Sequence, residues 1–107
     1  MAKFQPAPGE ALAGSGPMSL FQKSGLTKKP FQGKIYVTNQ RVCFYMDLSG
    51  SALMDLPLAQ IKGFSVSKTL FITQVTIHSQ SGEDYPLTGF PAKNLQTWLR
   101  QVGVQAL

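Results

Sequence analysis

The chain is poor in the groups that do chemistry: one histidine, one cysteine and five carboxylates among 107 residues. The lone Cys43 closes no internal disulfide. Its place among alternating apolar residues marks a small structural side chain rather than a reactive thiol. His78 alternates outward on an expected strand, and the adjacent acids Glu83 and Asp84 would point apart on one, a poor geometry for shared acid-base work. No nucleophile elbow, Walker loop, Cys-x-x-Cys or His-x-x-x-His occurs, and Gly14-Ser15-Gly16 is too short to cradle a phosphate. These absences predict no catalytic residue, no metal site and no cofactor. Long apolar runs are missing too. Val42 to Met46 is about as long as they get, against the roughly 18 to 20 residues of a membrane-spanning helix. Near the start, Pro6, Pro8, Gly9, Gly14 and Gly16 break up the apolar trio Ala11 to Ala13, which leaves no signal-peptide core. The default expectation is a cytoplasmic protein, peripheral at the inner membrane face if it meets a membrane at all.

Acidic residues are also missing from one long window. None occurs between Glu10 and Asp47, yet Lys23, Lys28, Lys29, Lys34 and Arg41 all lie there. Elsewhere Lys3, Lys62, Lys68, Lys93 and Arg100 balance the five acids, so the whole net charge of +5 belongs to that window. A concentrated field of one sign points to an anionic partner such as a lipid headgroup or an acidic protein surface. Nucleic acid is disfavoured, because the bases are thinly spread and lack interleaved aromatic residues for stacking.

What is present is a clear strand pattern. Gly33 to Asp47 reads as two antiparallel strands meeting at Asn39-Gln40, where Asn suits the left-handed backbone of a tight turn. A two-residue loop sets Val37 opposite Val42, Tyr36 opposite Cys43, Ile35 opposite Phe44 and Lys34 opposite Tyr45. Ile35, Val37, Val42 and Phe44 then share the core face, while Lys34, Tyr36, Thr38, Arg41, Cys43 and Tyr45 face outward. Further strands are expected at Met18 to Lys23, Leu53 to Leu56, Ile61 to Ser67 with a bulge at Gly63, Thr73 to Ser79, and Asp84 to Thr88. Ser24 to Pro30 reads as a basic loop. Leu95, Trp98, Leu99 and Val102 then follow helical spacing, with Pro91 before them and Gly103 after, so one amphipathic helix closes the chain. Residues 1–9 read as a flexible lead-in and residues 10–107 as a single domain.

The segment Gly33-Lys34-Ile35-Tyr36-Val37-Thr38-Asn39-Gln40-Arg41-Val42-Cys43-Phe44 resembles the Gly-x-Leu-Tyr-Leu-Thr-Asn-x-Arg-Leu-x-Phe core of GRAM domains, members of the pleckstrin-homology-like (PH-like) superfamily. Leu56-Pro57-Leu58-Ala59-Gln60-Ile61 is similar to the step that follows that core, and Trp98 stands where PH domains keep a helical tryptophan. The resemblance implies a mainly β fold: a partly open barrel of about seven antiparallel strands in two near-orthogonal sheets, capped by one C-terminal helix. It also implies a non-enzymatic binding module for acidic lipids or proteins. In lipid-binding PH domains a lysine late in the first strand works with a basic-x-basic pair on the second. Lys23 and Lys34 fit the first two places, but Tyr36 stands at the third, which weighs against stereospecific phosphoinositide recognition.

The expected function is weak, reversible binding to an anionic membrane surface through Lys23, Lys28, Lys29, Lys34 and Arg41. Leu26 and Phe31, flanking the loop lysines, read either as lipid-inserting residues or as core residues at the loop ends. The alternative is a protein-interaction module, adaptor or homo-oligomer, that uses an exposed strand edge or the outer hairpin face with Tyr36 and Tyr45 as anchors.

Overall fold

The computed structural model describes residues 4–24 and 26–107, without the side chains of Lys23 and Ser24. Its elements are β1 (Leu12–Ser24), β2 (Thr27–Thr38), β3 (Arg41–Met46), β4 (Ala52–Pro57), a 3-10 turn (Leu58–Gln60), β5 (Ile61–Lys68), β6 (Thr73–Ser79), β7 (Asp84–Thr88) and α1 (Ala92–Gln101). All strand pairings are antiparallel, in the order β4-β3-β2-β1-β7-β6-β5. Strands β4 and β5 are not paired with each other, so the mainly β barrel is open there; the outer edge of β5 instead takes a parallel bridge from Phe64 to Ala106. Rather than two separate sheets, one hydrogen-bonded sheet turns through β1. That strand pairs along its length with β2 and, at Ser19 and Leu20, with Thr88 and Leu87 of β7.

The β2–β3 pairing follows the expected register, with Val37 opposite Val42, Tyr36 opposite Cys43, Ile35 opposite Phe44 and Lys34 opposite Tyr45. Ile35, Val37, Val42 and Phe44 are fully buried, as a period of two requires when one face meets a core. They join Met18, Leu20, Met54, Phe64, Val75, Ile77 and Leu87 in one cluster. The expected bulge in β5 is present as a register shift between Ile61 and Gly63.

Helix α1 covers the cluster with Ala92, Leu95 and Leu99, which fall on one face at helical spacing. Just past its end lies Gly103, whose φ of 92° is open to glycine and strained for other residues, while the Val104 N–H returns to the Leu99 carbonyl at 2.9 Å. Trp98, partly buried against the core, lies over Gly14, where a β-carbon would overlap the indole ring. No described helix is long and apolar enough to cross a membrane.

Three local expectations change. The first strand begins at Leu12 rather than Met18. The basic loop is not a loop, because Thr27 to Pro30 belong to β2, and β1 and β2 form a long ribbon whose register sets Lys23 opposite Lys28 and Gln22 opposite Lys29. Finally, no described residue other than glycine has a positive φ, so Asn39 does not take the left-handed backbone. The turn is held instead by the Thr38 hydroxyl, which accepts the N–H groups of Gln40 and Arg41 at 3.0 Å each.

Candidate functional site

The outer face of the β2–β3 hairpin collects the polar half of the alternation, and residues 4–11 are laid against it. Arg41 is its hub. Its Nε donates to Glu10 at 2.8 Å, its Nη1 to Asp55 at 3.1 Å, and its Nη2 to Glu10 at 3.1 Å and to the Gln5 carbonyl at 2.9 Å. Thr38 donates to the same Glu10 carboxylate at 2.6 Å. The Arg41 guanidinium beside Glu10 is the main cause that holds this carboxyl down near pKa 2, against the opposing effect of burial. Two carboxylates therefore already compensate the Arg41 charge.

Tyr36 and Tyr45, the alternative partner anchors, are engaged by the chain itself. The Phe4 ring stacks on Tyr36 with centroids 4.3 Å apart and meets Tyr45 edge-on at 6.2 Å, and the Arg41 guanidinium sits 5.2 Å from the Phe4 centroid. Cys43 is fully buried. Burial first, and then the Asp55 charge, push its thiol pKa up to about 12, which leaves no thiolate for chemistry near neutrality.

The remaining candidates lie elsewhere. Lys28, Lys29 and Lys34 are exposed and make no ion pair with the described residues. Lys28 and Lys29 stand near the ribbon's end, and Leu26, in the turn just before β2, is wholly exposed at 104%, whereas Phe31 is half-buried. The side chain of Lys23 lies outside the described residues. Lys34 is further along the ribbon, opposite Pro17 and Tyr45. The structure thus keeps Lys28 and Lys29 near one tip, on opposite faces of β2, sets Lys34 apart on the hairpin, and ties Arg41 to acids. A cleft of about 490 Å³ beside the ribbon carries both signs, with Lys28 on one wall and Glu83 and Asp84 on the other.

A model of the family described as GRAM domain matches residues 3–92, most of the chain. The chain belongs to the GRAM domain family. No curated protein matches it. Among solved structures it is similar to the C-terminal domain of an unknown protein from Leishmania infantum, at 19% identity, covering 89% of this chain and 85% of that one with a TM-score of 0.72. It is also similar to the N-terminal PH domain of Vps36, at 17% identity, 92% and 83% coverage and a TM-score of 0.70. A human PH domain, from pleckstrin homology domain-containing protein family A member 5, shares 10% identity over 94% and 80% of the two chains at a TM-score of 0.59. At these identities the structural likenesses show the PH-like fold. GRAM and PH-like domains are typically lipid- or protein-interaction modules and generally not catalytic.

In this GRAM domain the Thr-Asn-x-Arg signature serves the fold. Thr38 closes the turn, and Arg41 binds Glu10. Asn39 clamps the entering chain: its Oδ1 accepts the Ala11 N–H at 2.8 Å, its Nδ2 donates to the Gly9 carbonyl at 3.3 Å, and its own N–H donates to the Ala11 carbonyl at 3.0 Å. Sequence spacing also missed a hydrogen-bonded line across β5, β6 and β7. Ser65 Oγ lies 2.7 Å from His78 Nε2, and His78 Nδ1 lies 2.7 Å from Asp84 Oδ1. The order matches a nucleophile, a base and an orienting carboxylate. Here, however, Ser65 sits within a regular strand, and the clefts at the two ends of the sheet are lined by neither Ser65 nor His78. The outward position of His78 was legible from alternation. Its partners were not, since they depend on the Gly63 bulge and on the pairing of β6 with β7.

Proposed function

We propose that the domain is a non-enzymatic module that attaches weakly and reversibly to anionic lipid surfaces through the tip of the β1–β2 ribbon. The observation that carries this reading is Leu26, fully exposed beside Lys28 and Lys29, which have no carboxylate partner among the described residues. An apolar side chain at a projecting turn can enter the headgroup layer while neighbouring lysines meet phosphates. Lys34 adds charge further along the ribbon, and Lys23 enters by its register opposite Lys28. Arg41 is left out, because Glu10 and Asp55 already neutralise it.

Each lysine near an anionic leaflet contributes about 1 kcal/mol. Burying Leu26 adds roughly 1.5 to 3 kcal/mol. Together these place the affinity between millimolar and micromolar, and make it sensitive to salt. Such a site suits the generic negative charge of a leaflet rather than one stereospecific headgroup.

Sedimentation with phosphatidylcholine vesicles, with and without phosphatidylserine, tests the reading. Acidic vesicles should retain more protein at low salt, and Lys28→Glu with Lys29→Glu should abolish the difference without shifting Tm. Equal retention by acidic and neutral vesicles at low salt overturns it.

A further inference from the structure

The end of the sheet opposite the basic ribbon carries a group of large apolar side chains that the core does not use. Leu70 is 87% exposed, Phe71 91%, Ile72 56%, and Phe90, on the turn between β7 and α1, 103%. The turn that presents the first three is tightly held. The Thr69 N–H donates to the Ile72 carbonyl at 2.8 Å, and the Thr69 hydroxyl oxygen accepts the Ile72 N–H at 3.2 Å. Leu70 and Phe71 are therefore projected from a fixed turn.

Phe71 and Phe90 border a cleft of about 500 Å³, with Thr73, Thr88, Gly89 and Ala92 among its lining and Lys93 at one side. That volume accommodates a side chain or a short segment of a partner. Contiguous exposed apolar side chains rimmed by polar residues mark interaction surfaces.

Charge selects the occupant. The bases flanking the group are Lys68, at the end of β5, and Lys93; no acid occurs from Leu56 to Gly82 or from Tyr85 to Leu107. A second copy of this chain would bring the same lysines face to face, which costs rather than stabilises. The strand β7 runs between the two sites: Asp84 lines the ribbon cleft and Thr88 lines this one. A bilayer that receives the ribbon end-on leaves the Phe71 end in water. We propose that this end is a docking site for a partner protein, through a short segment of aliphatic and aromatic residues flanked by Asp or Glu. One apolar side chain enters between Phe71 and Phe90, and the flanking carboxylates meet Lys68 and Lys93. The surface differs from that of the membrane reading, but the choice of a protein over a bilayer rests on that reading, and peptide binding and vesicle binding are therefore read separately.

A random peptide library, selected on the wild-type domain and in parallel on a Phe71→Ser, Phe90→Ser variant, tests the proposal. Both substituted residues are exposed, so an unchanged Tm confirms an intact fold. The wild type should enrich apolar sequences flanked by Asp or Glu. Their affinity should fall by about tenfold or more in the phenylalanine variant and also in Lys68→Glu with Lys93→Glu, while Lys28→Glu with Lys29→Glu leaves it unchanged. No enrichment, the same enrichment on the phenylalanine variant, or enrichment of basic sequences overturns the proposal. Two further outcomes reassign the surface. A wild-type dimer in sedimentation that Phe71→Ser, Phe90→Ser converts to monomer gives it to a second copy, and loss of vesicle binding in that variant gives it to a bilayer.

Discussion

Glu10 ties the entering chain to the β2–β3 turn, and its ionisation sets an acid limit on stability. In the folded protein its carboxyl titrates near 2 rather than its ordinary 4.5, chiefly because Arg41 donates to the charged form. A carboxyl depressed by folding stabilises the protein fully above its unfolded pKa, and that stabilisation is lost as the pH falls from about 4.5 towards 2. Glu10→Gln should therefore cost about 1.5 to 3 kcal/mol at neutral pH, the usual range for hydrogen bonds to charged groups. The gap between wild type and variant should close as pH falls through that window. Urea midpoints measured from pH 7 to pH 2 read this directly, and a gap that stays constant with pH would mean that Glu10 does not stabilise the fold through its charge. Phe44 makes the matching case in the core: it is fully buried, and Phe44→Ala should cost roughly 3 to 5 kcal/mol in the same assay. A loss near zero would refute the register. The contrast between these residues shows what a sequence can disclose. The burial of Phe44 follows from alternation within its own strand, so it was legible. Arg41 read as a free base because its partners Glu10 and Asp55 are distant in sequence and meet it only after folding.

At the scale of elements, patterned strands were legible and glycine-rich ones were not. Thr73–Ser79 and Asp84–Thr88 appear with the bounds that alternation gives them. The start of β1 escaped because Gly14-Ser15-Gly16-Pro17 has the composition of a loop, and its strand geometry comes from tertiary packing. Trp98 of α1 lies where Gly14 has no side chain, and Pro91 approaches Gly16 in the same way. The glycines that hid the strand are thus what let the helix approach it. Pro17 comes before the pairing of β1 with β7, which begins at Ser19, so its missing N–H leaves that ladder intact. Gly14→Ala should displace the indole and cost about 1 to 3 kcal/mol, the usual range for overpacking. The Trp98 fluorescence maximum, which reports the tryptophan's surroundings, should shift with the loss of stability. An unchanged spectrum and an unchanged midpoint would show that the helix does not rest on this strand. The basic ribbon was misread for a related reason: Lys28, Lys29 and Pro30 have low strand propensity, and pairing with β1 draws them into β2.

For the molecule as a whole, pairing redistributes the charge that the sequence displays. The acid-free window put the whole excess of charge in one segment, but folding withdraws Arg41 into contact with Glu10 and Asp55 and leaves Lys28 and Lys29 near a single tip. A large exposed apolar group sits at the other end of β7. The fold was thus more legible than the site, since strand order follows from patterns along the chain whereas free charge depends on which pairs form across it. The consequence is measurable on vesicles. If each lysine of the tip contributes about 1 kcal/mol, Lys28→Ala with Lys29→Ala should weaken binding to phosphatidylserine vesicles by about 30-fold at low salt. Screening shortens from about 10 Å at 0.1 M salt to about 3 Å at 1 M, so wild type and variant should converge as salt rises. Leu26→Ser should weaken binding at both salt concentrations, because the transfer of an apolar side chain does not depend on screening. A 30-fold loss that persists at 1 M salt would show that the lysines act through packing rather than charge, whereas no loss at low salt would place the membrane contact away from the ribbon.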